Sequence, residues 1–145
     1  DADSVIYQRI SLNETAAIAF DLSKKIVLGT YAREVGKIAT LTNNTAVATA
    51  IVEIDLTDTH TNVNLGTFKM DYAIKRDGIV RTGSLNIACD GGTPGLLTYD
   101  ESYNENAVSG IVFSVTQTGT DVSVKYTATN TGDNATLSYS IERLY

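Results

Sequence analysis

The sequence predicts an all-β fold, an antiparallel β-sandwich of jelly-roll or immunoglobulin-like topology with about ten short strands. Three observations predict it. Apolar and polar residues alternate at period two over several runs, which buries one face and wets the other. Turn residues recur at about 8–12-residue intervals. Threonine, valine and isoleucine are abundant while proline occurs once, at Pro94, so little can interrupt a ladder.

The strongest element is residues 67–87. Phe68, Met70, Tyr72 and Ile74 alternate with Lys69, Asp71, Ala73 and Lys75, and Leu85 and Ile87 share one parity further on. Asp77-Gly78 between the runs is the hairpin signal, because both residues accept the positive φ of a two-residue turn. In the C-terminal part Ile111, Phe113 and Val115 form one run, and Val122, Val124, Tyr126 and Ala128 a second. Leu137, Tyr139 and Ile141 form a third. Turns at Gln117-Thr-Gly-Thr120 and Asn130-Thr-Gly-Asp-Asn134 make these a three-stranded meander. Between the clear regions, residues 96–103 read as a strand with Leu97 and Tyr99 inward, and Ser102 or Tyr103 after them.

The N-terminal half is less regular. Ile6, Gln8, Ile10 and Leu12 suggest a strand, as do Ile18, Phe20 and Leu22. Residues 26–32 and 37–41 read as strands around Glu34-Val-Gly36, with a turn at Asn43-Asn44. Residues 47–56 change parity, from Val47, Thr49 and Ile51 to Val52, Ile54 and Leu56. A β-bulge produces such a switch, and a short alanine-rich helix over 46–50 competes with it.

The 145 residues suggest one domain, 1–145, belonging to a longer or processed chain, with Asp1–Ser4 as linker. A net charge of −6, with no cluster of Lys and Arg, argues against nucleic acid as a partner. One cysteine, Cys89, rules out an intrachain disulfide and a cysteine-built metal site. No apolar run approaches the ~18 residues of a membrane-spanning helix.

Three pieces carry a family resemblance. They are Phe68-Lys-Met-Asp-Tyr-Ala-Ile-Lys-Arg76 with Val80-Arg-Thr-Gly-Ser-Leu85, then Gly110-Ile-Val-Phe-Ser-Val115, then the segment from Val122 to Ile141 containing Thr127-Ala-Thr-Asn-Thr-Gly132. Together they resemble β-sandwich domains of tailed-bacteriophage virion proteins, at the ends of tail fibres or tailspikes. The resemblance implies a non-enzymatic structural or host-attachment module located in the virion tail, outside the host cell at attachment. It also implies a homotrimer, with a bacterial surface glycan or protein as receptor. It carries over no catalytic residue and no cofactor. The rival expectations are a carbohydrate-binding module, which the absence of tryptophan disfavours, a capsid decoration protein, and a small hydrolase.

The residues themselves offer little chemistry. His60, the single histidine, sits in a polar loop without a surrounding motif. Cys89 reads as a small buried hydrophobe at a strand end. Asp55 with Asp58, or Asp100 with Glu101, could be paired acids, but only spatial separation tests that. Asp90-Gly-Gly-Thr-Pro-Gly95 lacks the lysine and order of a phosphate-binding loop, and neither it nor Asp55 and Asp58 forms a calcium loop pattern. No metal or cofactor is expected. Tyrosine, at eight residues, is the opening for binding. Tyr72, Tyr126 and Tyr139 fall on apolar parities, so they belong to the core. The expected contact surface is Tyr99, Asp100, Glu101, Tyr103, Asn104 and Asn106.

Overall fold

The alternating runs become strands in a computed structural model, which describes residues 26–28, 31–55, 66–90 and 96–144. Among the described residues nine strands run in the order β1 (Ile26–Leu28), β2 (Tyr31–Leu41), β3 (Thr45–Asp55), β4 (Thr67–Arg76), β5 (Ile79–Cys89), β6 (Leu97–Glu105), β7 (Ile111–Thr118), β8 (Asp121–Ala128) and β9 (Ala135–Leu144). They form a six-stranded sheet, β1-β2-β9-β4-β5-β6, and a three-stranded sheet, β3-β8-β7, with every pairing antiparallel. The strands expected near Ile6 and Ile18 lie outside the described residues, as do His60, Asp58 and the glycine-rich loop at 91–95. Among the described residues no helix is long and apolar enough to cross a membrane.

The β4–β5 hairpin turns at Asp77 (φ 42°) and Gly78 (φ 75°), with Arg76 opposite Ile79. Two successive positive φ values match the right-handed twist of the flanking strands. Phe68, Met70, Tyr72 and Ile74 are buried, as the alternation requires, and so are Leu85 and Ile87. They meet Ile111, Phe113, Val115, Val122, Val124 and Tyr126 from the other sheet, with Leu137 and Ile141 from β9.

Glu34-Val-Gly36 forms a bulge within β2, where the register to β9 shifts between Glu34 and Lys37 and Gly36 takes φ 69°. Residues 46–50 are strand rather than helix. The register between β3 and β8 shifts between Ala50 and Val52, so Ile54 reaches the core while Val47 stands exposed. The bulge, not an alanine-rich turn of helix, explains the parity change.

Two expectations are corrected. The last three strands are not a meander: β7 and β8 form a hairpin, but β9 leaves for the other sheet and lies between β2 and β4. The Asn130–Asn134 connection crosses the gap between layers, typically about 10 Å, and is tied to the β2–β3 turn. Asn43 accepts from the Thr131 amide at 3.0 Å and donates to Asn130 Oδ1 at 3.0 Å, and Asn134 Oδ1 accepts from the Asn43 amide at 2.8 Å. Tyr99 and Tyr103, expected inward, share the core-side parity of β6 but remain 42% and 47% exposed. Among the described residues the larger sheet has six strands and the smaller three, and the smaller sheet leaves the β6 margin uncovered.

Candidate contact surface

Strand pairing divides the expected contact residues between two faces. Tyr99, Glu101 and Tyr103 stand opposite Ile87, Leu85 and Gly83, on the side that faces the smaller sheet. Asp100 and Asn104 stand opposite Asn86 and Thr82, on the outer side. Asp100 and Glu101 therefore cannot act across one cleft as a carboxyl pair.

The inner group is bound up with the framework. Arg81, 3% exposed, projects from β5 beneath β6. Its Nη2 donates to Glu101 in an ion pair, its Nε donates to Tyr72 Oη at 3.0 Å, and its Nη1 donates to the Ile111 carbonyl at 2.7 Å. Tyr72 Oη donates in turn to Glu101 Oε1. The Tyr103 ring lies 3.6 Å from the guanidinium carbon, a cation–π stack. Tyr72 meets Phe113 edge-on at 5.0 Å. Burial, then the hydrogen bond and charge of Glu101, push the Tyr72 hydroxyl well above its usual pKa, so it stays protonated and keeps donating.

Asn106 is likewise structural. Its Oδ1 accepts from the Val80 amide at 2.8 Å and its Nδ2 donates to the Gly78 carbonyl at 3.3 Å, closing the β6 end onto the hairpin turn. Cys89 ends β5 in the core, where burial and then Asp90 push its thiol pKa up, away from the nucleophilic thiolate. Among the described residues no cluster of three or more His, Cys, Asp or Glu could hold a metal ion.

On the outer side, pairing aligns Glu142, Lys69, Asn86 and Asp100 in one row across β9, β4, β5 and β6. Thr67, Ala88 and Thr98 form the next row. These small side chains leave a trough of about 440 Å³ between them and the polar row. Its polar groups are the Glu142 and Asp100 carboxylates, the Asn86 amide and the threonine hydroxyls, while the Lys69 ammonium is held by Asp71 at 2.8 Å.

No family model matches the chain, and no curated protein matches it. Among solved structures the chain is similar to the tailspike protein of Acinetobacter baumannii phage AM24, with 13% identity and a TM-score of 0.41. The similarity covers 80% of this chain and 26% of that one, so this chain spans about a quarter of that protein.

Sequence reasoning passed over two arginines, Arg76 and Arg81, that are buried among the described residues. Arg76, 1% exposed, donates from Nε to the Asp133 carbonyl at 2.9 Å and from Nη1 to the Ser109 carbonyl at 2.8 Å. Its Nη2 donates to Asn43 Oδ1 at 2.6 Å and to the Thr129 carbonyl at 2.8 Å. The signal was parity: Arg76 continues Phe68, Met70, Tyr72 and Ile74, and Arg81 shares the parity of Leu85 and Ile87.

Proposed function

We propose that the chain is a non-enzymatic virion module of a phage tail fibre or tailspike, serving oligomerisation and attachment to the host cell surface. One observation carries the reading. The three separated pieces that resemble such domains converge on the two buried arginines. Tyr72, Arg76 and Arg81 come from the first piece, the Ile111 carbonyl and Phe113 from the second, and the Thr129 carbonyl from the third. Hairpins of unrelated origin have no reason to contribute to one shared polar framework. That framework uses its titratable groups to join strands. Adsorption tests the proposal: the purified domain should bind susceptible bacteria and compete with phage for them. A domain that neither binds cells nor self-associates at high concentration overturns it.

The outer trough favours a second reading, a carbohydrate-binding module. That reading predicts a monomer that binds oligosaccharide and loses binding with Asn86→Ala. A self-associating domain whose cell binding ignores that change excludes it.

A further inference from the structure

Among the described residues β6 ends the larger sheet: it pairs with β5, and no described strand takes its other edge. Thr98, Tyr99, Asp100, Ser102, Tyr103 and Asn104 are all exposed, whereas every second residue of β4 is buried. The bonds flanking β6 show which way its backbone groups point. The Asn106 amide donates to the Val80 carbonyl at 3.2 Å, and the Asp90 amide donates to the Leu96 carbonyl at 3.3 Å. Thr98, Asp100, Ser102 and Asn104 therefore turn their amides and carbonyls to β5, because these directions alternate along a strand. Leu97, Tyr99, Glu101, Tyr103 and Glu105 turn theirs to the open edge. That edge carries no proline, no lysine and no break in register, devices that usually keep an edge from pairing. Of its acids, Glu101 is held by Arg81 and Tyr72, and Glu105 accepts from the Ser109 amide and hydroxyl.

We propose that β6 pairs antiparallel with β6 of a second copy of this chain, about a two-fold axis at Ser102. This rests on the oligomerisation reading above and specifies its interface. Such a contact is isologous and extends the larger sheet across both copies. Pairing must join edge-facing residues to edge-facing residues, and axes at Asp100, Glu101 or Ser102 do so over most of the strand. An axis at Asp100 or at Glu101 sets that acid against its own copy, and like charges directly opposite destabilise a ladder. The axis at Ser102 sets Asp100 opposite the second copy's Asn104, whose amide can donate to the carboxylate. It also sets Glu101 opposite Tyr103 and Tyr99 opposite Glu105, so no acid faces an acid. Tyr99, Tyr103 and their counterparts then gather over the margin that the smaller sheet leaves uncovered.

Crosslinking tests the axis. Ser102 and its counterpart form a non-hydrogen-bonded pair with Cα atoms about 4.5 Å apart, within the roughly 4.4–6.8 Å that a disulfide spans. Ser102→Cys, oxidised in air and read on a non-reducing gel, should therefore crosslink about tenfold faster than Asp100→Cys, whose sulfur meets Asn104 instead. Wild type, with Cys89 buried, is the control. Tyr99→Pro tests the edge. The Tyr99 amide faces outward, so proline keeps the bonds to β5 but removes a donor to the second copy. Light-scattering mass over a concentration series should show its dissociation midpoint raised about tenfold, equivalent to about 1.4 kcal/mol. Asp100→Cys crosslinking as fast as Ser102→Cys, no crosslink in either, or Tyr99→Pro assembling like wild type overturns the interface. Self-association that persists in those cases leaves the oligomerisation reading standing. A monomer at every concentration overturns both and leaves attachment to the adsorption test.

Discussion

Arg76→Met should be among the most damaging single substitutions in the chain. The side chain is 1% exposed and gives four hydrogen bonds, with no ion-pair carboxylate in reach among the described residues. Methionine fills much of the volume but takes the guanidinium donor from three backbone carbonyls and leaves the Asn43 amide oxygen with the Thr131 amide alone as donor. An unsatisfied buried acceptor costs about 1–3 kcal/mol. The Ser109 carbonyl is fully buried, so the upper part of that range applies to it. The other three bonds are partly buried, and water can recover some of their loss. Relief of guanidinium desolvation offsets part of the sum, leaving about 3–5 kcal/mol. For a domain of this size that lowers Tm by roughly 10–20 °C. Arg76→Lys keeps the charge and three donors, so it should cost about 1–3 kcal/mol. Urea unfolding followed by circular dichroism measures both. Arg76→Met within about 1 kcal/mol of wild type, or Lys as harmful as Met, refutes the claim that these four bonds join the loops.

Gly83→Ala should loosen β6. A Cβ there would stand 2.6 Å from the Ser102 carbonyl, 2.7 Å from Tyr103 Cβ and 2.7 Å from Tyr72 Oη. Neither the carbonyl nor a Cβ can swing aside, so the strand must shift, at about 1–3 kcal/mol. Hydrogen exchange should show β6 amides losing protection before those of β4; unchanged β6 protection contradicts the close approach. Tyr72 predicts an alkaline limb. Its hydroxyl pKa is raised on folding, so above the usual tyrosine value of 10.0 the unfolded chain releases a proton that the folded chain retains. Stability is therefore full below pH 10.0 and falls as pH climbs above it, and Tyr72→Phe should flatten that limb. A limb of equal slope in the variant assigns it elsewhere, Tyr139 being, among the described residues, the other tyrosine with a raised pKa.

The parts of the fold legible in the sequence are those fixed by local physics. Asp77-Gly78 dictates its turn through φ alone, and Phe68 to Ile74 choose their face by alternation. The Val47–Leu56 parity switch reported a bulge because inserting one residue flips every side chain after it. Which sheet receives β9 was not legible, since Asn130–Asn134 is as good a hairpin turn as a crossover. Its destination is set by Asn43 and Arg76, remote residues that satisfy the loop's polar groups. The contact surface was half legible for the same reason. Period two places Tyr99 and Tyr103 on the core side, but their exposure depends on the width of the opposite sheet.

This geometry also separates residues available for recognition from those committed to folding. Glu101 neutralises a buried guanidinium, Tyr103 stacks on it, and Asn106 closes the hairpin end, so changing any of them alters the β6 margin itself. Loss of cell binding in such a variant would report lost structure as readily as a lost contact. Asp100 and Asn104 point away from the framework, and Tyr99 has no ring stack or side-chain bond to it. Binding defects confined to Tyr99, Asp100 and Asn104, with unfolding midpoints unchanged, would place recognition on β6. Defects only at Glu101, Tyr103 and Asn106, accompanied by falling midpoints, would show that β6 supports a surface elsewhere.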